Sequence, residues 1–75
     1  MDLEKLKMTE DKAVSLKNSS DWQNVCNELD YRISSYEKEL RYVSSENLIV
    51  VQQKIQALEE LKTLPQDVID RESAK

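Results

Sequence analysis

Apolar residues recur at alternating intervals of four and three between Trp22 and Val43, and this pattern predicts a long helix. It is the heptad spacing of a helix that buries one narrow seam. The seam consists of Trp22, Cys26, Leu29, Ile33, Tyr36, Leu40 and Val43. Ser20 precedes Gln23 by three residues, which is the spacing of a capping box at a helix start. We therefore expect a helix over about residues 20–43, with the seam in the core.

A second apolar stripe follows after a short polar segment and predicts a second helix over about residues 46–64. The stripe consists of Leu48, Val51, Ile55 and Leu58. Relative to a continuation of the first seam it is displaced by one residue, which rotates it by about 100° around the helix. The polar segment 44–47 contains serine and asparagine, which are good N-cap residues. We favour an antiparallel helical hairpin that turns at 44–47, with the second stripe completing the core; one long helix kinked there is the alternative.

Two shorter helices are expected outside the hairpin. Pro65 ends the second long helix, because proline lacks an N–H and clashes with the preceding turn. Thr63 is placed to cap a C-terminal helix over Pro65–Arg71, and Thr9 is placed to cap an N-terminal helix over Glu10–Lys17.

The composition agrees with an all-α fold, because the chain has no glycine and a single proline in 75 residues. We expect one small helical domain over residues 1–75, with 1–8 and 72–75 as candidates for disorder. A core of this size is marginal, and small domains usually add a disulfide, a metal or a partner subunit. One cysteine and no histidine leave a good helical core, a partner subunit, or both as the source of stability.

A further set of apolar residues does not fit the hairpin core. On a helical wheel Tyr31 and Tyr42 fall together, opposite the seam, and a second group clusters away from the stripe of the second helix. The residues predicted to form a protein interface are Tyr31, Tyr42, Val50, Ala57, Leu61 and Leu64. Three interpretations remain open: the short terminal helices cover these residues, copies of the chain cover one another, or a different protein binds.

The sequence contains no pattern typical of catalysis, a cofactor or a metal. Cys26 has no histidine to pair with, and a glycine-rich phosphate loop or an EF-hand cannot form without glycine. Helical Asp and Glu at this density are typical of a solvated surface. We therefore expect a protein that binds rather than an enzyme. Trp22 has two interpretations, as the residue that closes the core or as a hot spot for a partner.

Net charge and hydropathy indicate that the partner is a protein rather than nucleic acid or a membrane. The net charge of −4 disfavours nucleic acid, whose phosphates attract basic surfaces. The longest apolar run, Leu48 to Val51, is far below the roughly 20 residues that cross a bilayer. A lone cysteine without a secretory signal indicates the cytoplasm, or action there before any assembly.

The order of several motifs resembles a type of small protein that is frequent in tailed-phage and prophage genomes. Those proteins pair a helix led by tryptophan with a second helix that contains I-x-A-L-x-x-L and ends near Leu-Pro. The matching residues are Ser20-Asp21-Trp22, Val25, Leu29, Ile33, Ile55-Gln56-Ala57-Leu58, Leu61 and Leu64-Pro65. The resemblance covers about residues 18–70 and implies a helical hairpin and a phage accessory role. It implies no particular site residues.

Two functions follow as hypotheses. The first is a structural or assembly protein that associates with copies of itself, or with a virion protein, through helical faces. The second is a small inhibitor that binds a host defence protein, for example in an anti-CRISPR role. The oligomeric state separates them, since self-association would consume the outer apolar residues.

Overall fold

A computed structural model of the protein describes residues 2–74, which form helices and turns with no β-strand among them. The elements are a 3-10 turn at Leu3–Leu6, α1 at Glu10–Lys17, α2 at Ser20–Glu39, α3 at Ser45–Lys62 and α4 at Leu64–Ser73. The all-α class is confirmed, with two long helices flanked by two short ones. Part of each terminal segment considered for disorder is helical, while Met1 and Lys75 lie outside the described residues.

Side-chain caps stabilise the N-termini of α1 and α2. Thr9 Oγ1 accepts a hydrogen bond from the Lys12 N–H at 3.4 Å, as expected for the cap of α1. At α2 the cap is Ser19, whose Oγ accepts from the Trp22 N–H at 3.1 Å. The predicted capping box at Ser20 is therefore wrong, because Ser20 is already the first residue of the helix.

α2 ends at Glu39, four residues before the predicted end at Val43. The backbone N–H groups that follow still donate to carbonyls earlier in the chain. The Tyr42 N–H donates to the Glu39 carbonyl at 2.9 Å, which closes a turn. Ser44 is then extended, with φ −68° and ψ 159°, and serves as the N-cap residue of α3. The chain therefore reverses between Glu39 and Ser45, and the kinked single helix is excluded.

Thr63 separates α3 from α4 without acting as a side-chain cap. Its Oγ1 lies 2.9 Å from the Glu60 carbonyl oxygen and 2.8 Å from Asp67 Oδ2, so the hydroxyl can donate to either acceptor. The predicted capping by Thr63 is thus replaced by a bond that closes the end of α3. α4 begins one residue earlier and ends two residues later than predicted.

The helices pack as two antiparallel pairs. In the long pair, Lys62 of α3 forms an ion pair with Asp30 of α2, and Lys54 Nζ lies 5.5 Å from the centre of the Tyr36 ring. In the short pair, α1 packs against α4, and Lys17 Nζ bonds Gln66 Oε1 while Ser73 Oγ bonds Glu10 Oε1 at 3.3 Å. The two pairs meet where the chain passes from α1 to α2 and from α3 to α4, and within residues 2–74 no close backbone contact joins α1 to α3 or α2 to α4.

Each pair has a small core. Leu29, Ile33 and Val51 are buried in the long pair, and Ala13, Pro65 and Val68 are buried in the short pair. Most other residues predicted for the core are half-buried: Trp22, Cys26, Tyr36, Leu40, Val43, Ile55 and Leu58. Leu48 is 36% exposed, so its placement in the core is corrected.

The exposure of Leu48 follows from an offset between the two long helices. In an antiparallel pair each step forward along one helix is a step back along the other. The contacts of Asp30 with Lys62 and of Tyr36 with Lys54 therefore bring Glu39, the end of α2, level with about residues 51 to 53. Val51 is thus the first residue of α3 that α2 can cover, and residues 45–50 extend beyond α2. Only the short turn 40–44 lies beside them.

Candidate interaction surface

The molecule exposes more surface than a compact protein of its mass. Its radius of gyration is 15.7 Å and its extents are 44 × 29 × 23 Å, whereas a compact chain of this length has a radius of gyration of about 11 Å. Its accessible surface is 5966 Å², about 1200 Å² above the roughly 4800 Å² of a typical monomer of 8.8 kDa. The excess arises because two slender helix pairs lie end to end and share few contacts.

All six residues predicted for the interface are exposed, but they do not form one continuous face. Tyr31 is 69% exposed and lies on the side of α2 opposite the seam, facing away from α3. Tyr42 is 86% exposed and lies in the turn after α2. The predicted alignment of these two tyrosines on one helical face is wrong, because it required α2 to continue past Glu39.

Three of the six residues form a coherent surface, the α3 stripe of Val50, Ala57 and Leu61. At about 100° per residue their directions differ by no more than about 40° around the helix. Val50 is 48% exposed, Leu61 is 44% exposed, and Ala57 is exposed as well. Leu64, also exposed, follows directly as the first residue of α4.

The terminal helices do not cover the α3 stripe. α1 packs against α4, and α4 meets α3 only near the Thr63 junction. The first of the three interpretations, in which the short helices complete the core over this face, is therefore not what the chain does. The apolar residues of α1 and α4 are used against each other, as the burial of Ala13 and Val68 indicates.

A second exposed apolar cluster lies at the hairpin tip, defined by Tyr42, Leu48 and Ile49. Ile49, which lies outside the residues predicted for the interface, is 61% exposed. The run Leu48-Ile49-Val50-Val51 carries the signal that could have identified it, since four consecutive apolar residues on a helix cannot all face one neighbour. Leu3, Leu6 and Val25 are further exposed apolar residues outside the predicted set.

Several ionisable groups form surface pairs. Glu28 and Arg32 form the i,i+4 pair expected from their spacing, at 3.0 Å. A hydrogen bond from Lys62 to Asp30 raises the pKa of the Lys62 ammonium, with smaller contributions from neighbouring charges. Within residues 2–74 no group of three or more His, Cys, Asp or Glu side chains is arranged to hold a metal ion. Cys26 is a half-buried free thiol.

A shallow depression of about 350 Å³ lies beside the N-terminus of α1. It is lined by Glu4, Lys7, Met8, Thr9, Glu10 and Glu72. Its charged groups are paired with neighbours: Lys7 with Glu4 at 3.1 Å, and Arg71 with Glu72 at 3.2 Å. Arg71 also donates to the Met8 carbonyl at 3.1 Å, so the depression is a junction that fastens the N-terminal segment to α4.

None of the helices in the described part of the chain is long and apolar enough to cross a membrane. The chain matches no known family model, no curated protein and no solved structure.

Proposed function

We propose that this chain is a non-enzymatic assembly protein that acts by associating with copies of itself through helical faces. The observation that carries the proposal is the α3 stripe, because Val50 and Leu61 stay 48% and 44% exposed on one side of a regular helix. The resemblance to phage accessory proteins supports the same kind of role, in the construction of a larger particle.

The α3 stripe is the best candidate for the associating face. Its residues lie on one side of a regular helix, which offers a pre-ordered surface and therefore a small entropic cost of binding. Self-association is the usual way in which small helical units enlarge a marginal core. The buried residues among positions 2–74 divide into two groups of three, which is a small core for 75 residues.

The proposal is tested by molar mass in solution, measured by light scattering over a wide range of concentration. We expect the wild type to exceed 8.8 kDa as concentration rises, and we expect Leu61→Asp to shift it towards the monomer by placing a charge in the interface. Val25→Asp is a matched control, because Val25 is 43% exposed against 44% for Leu61 but lies on α2. Circular dichroism establishes that both variants keep their helices.

Each outcome has a consequence for the proposal. A wild-type chain that remains a monomer at millimolar concentration overturns self-association and favours the alternative, a small inhibitor that binds a different protein. If the wild type associates and Val25→Asp dissociates it while Leu61→Asp does not, self-association stands but the α3 stripe is not its surface.

A further inference from the structure

Two short connectors join the long pair (α2 and α3) to the short pair (α1 and α4). α1 continues into α2 through Asn18 and Ser19, and α3 continues into α4 through Thr63. Both connectors lie at the same end of the short pair, because Lys17 of α1 bonds Gln66 of α4. The two arms of the hairpin are therefore interrupted at the same place.

The backbone hydrogen bonds divide at these connectors. The Ser19 N–H donates back into α1 and its carbonyl accepts from α2, and Thr63 does the same between α3 and α4. Across residues 2–74, no backbone hydrogen bond runs directly from α1 to α2 or from α3 to α4. Pro65, in the first turn of α4, has no N–H with which to continue the hydrogen bonding of α3. Neither arm is therefore a continuous helix.

The side-chain contacts divide in the same way. Lys62 forms its ion pair with Asp30 inside the long pair, and Lys17 bonds Gln66 inside the short pair. Among residues 2–74, the side-chain hydrogen bonds and ion pairs between different helices all lie inside one pair. Each group of buried residues is likewise confined to one pair. A change in the angle between the pairs therefore uncovers neither core.

We infer that the molecule contains a hinge, about which the short pair rotates as a body against the long pair. The axis of the hinge is the line through the two connectors, because two bodies that are joined at two points keep one rotation, about the line between those points. Hinges of this kind consist of a few residues at the ends of elements, which absorb the change in φ and ψ.

The backbone conformation of the connectors suits this role. Asn18 has φ −91° and ψ 1°, and Thr63 has φ −93° and ψ 4°. Both residues lie in the bridge region between the α and β regions. A change of ψ in either direction therefore leads each of them towards a well-populated conformation, and the two connectors can turn together.

The hinge lies within one chain, so the inference goes beyond the proposed function and does not depend on it. Rotation changes the angle between surfaces on the long pair and surfaces on the short pair. A partner that contacts both pairs fixes this angle, whereas a partner that contacts one pair leaves it free.

Distances between two nitroxide spin labels, measured by double electron–electron resonance, test the hinge. In a Cys26→Ala background, Lys12→Cys on α1 and Ser35→Cys on α2 place labels at exposed positions on either side of it. Position 12 lies six residues, or roughly 9 Å, from Asn18, so a rotation of about 30° moves it by about 5 Å. We therefore expect a distance distribution that is broader by about this amount than the distribution of a rigid pair of sites.

The rigid reference is the pair Asn24→Cys and Gln53→Cys, which are both exposed and both inside the long pair. A second reference replaces Lys12→Cys by Ser15→Cys, which is also exposed but lies three residues from Asn18. Because the displacement grows with distance from the axis, we expect the added width to fall to about half. Inserting two glycines after Thr63 frees one of the two fixed points, and we expect it to broaden the distribution further.

The measurement is made at a concentration at which light scattering shows monomers, so failure of self-association leaves it intact. A distribution between positions 12 and 35 as narrow as the rigid reference shows a fixed angle and overturns the hinge. A broad distribution together with lost hydrogen-exchange protection in α1 and α4 shows unfolding of the short pair and also overturns it. An insertion after Thr63 that leaves the width unchanged contradicts an axis through both connectors.

Discussion

The start of α2 depends on one hydroxyl group. Ser19 Oγ accepts the N–H of Trp22 at 3.1 Å, which satisfies one of the amides that a helix leaves without a partner in its first turn. We expect Ser19→Ala to lower the free energy of unfolding by about 1 kcal/mol, the usual cost of removing such a cap. Urea unfolding followed by circular dichroism at a fixed protein concentration measures the change.

The neighbouring serine provides the control for this prediction. Ser20 is exposed in the first turn of α2, where alanine is a better helix former, so Ser20→Ala should change stability by less than about 0.5 kcal/mol. A larger loss for Ser20→Ala than for Ser19→Ala would contradict the observed cap and restore the capping box with Gln23.

The two serines also illustrate what the sequence could and could not predict at this scale. Both are good N-cap residues and both precede the heptad seam, so local propensity predicts a helix start here but does not distinguish between them. Thr9 had no such competitor, and its cap of α1 was predicted correctly. The choice at Ser19 depends on backbone geometry, since Ser19 is extended with φ −81° and ψ 140°.

At the scale of elements, the short helices depend on each other. α1 has eight residues and α4 has ten, and isolated helices below about 12 residues are marginal in water. Ala13 is completely buried in α1, which packs on α4. We expect Ala13→Leu to force the pair apart, at a cost of about 1–3 kcal/mol for overpacking, and thus to unfold both short helices.

Hydrogen exchange read by mass spectrometry resolves this effect by element. Amides of α1 and α4 should lose protection in Ala13→Leu, whereas those of α2 and α3 should keep it, because the long pair has its own core. Val14→Leu is the control, since Val14 is adjacent but exposed and tolerates a larger side chain. Equal loss of protection in all four helices would contradict the independence of the two pairs.

The helices themselves were predictable from local patterns, but their arrangement was not. Heptad spacing identified α2, and the displaced stripe identified a second helix that folds back on it. The offset of α3 against α2 depends on where α2 ends, and no residue near Glu39 marks that end in a chain without glycine. For this reason the core assignment failed at Leu48, and the alignment of Tyr42 with Tyr31 failed as well.

The pairing of α1 with α4 could likewise not be predicted from the sequence. One of the three interpretations of the sequence has the short helices cover the outer face of the hairpin. The hairpin offset instead leaves both short helices beyond the end of α3, where each meets the other first. The sequence pattern shows which face of each helix is apolar, but it does not show how far apart those faces lie in the folded chain.

At the scale of the whole molecule, self-association predicts that thermal stability depends on protein concentration. If two folded chains form a dimer and unfold to two separate chains, a higher concentration favours the dimer by mass action. An unfolding enthalpy of about 0.7 kcal/mol per residue corresponds to about 105 kcal/mol for a dimer, which gives a rise in Tm of about 5 °C for each tenfold increase in concentration. Calorimetry of the wild type over two decades of concentration measures this slope.

The slope identifies the associating surface when the same measurement is made on variants. Leu61→Asp should unfold as a monomer, with a Tm that is lower and independent of concentration, whereas Val25→Asp should retain the slope of the wild type. A flat wild-type Tm over the whole range would contradict dimerisation even if the protein were very stable. A slope that survives in Leu61→Asp would show that the chains associate through another surface. The hairpin tip of Tyr42, Leu48 and Ile49 is the next candidate, because those residues are the most exposed apolar group on the hairpin.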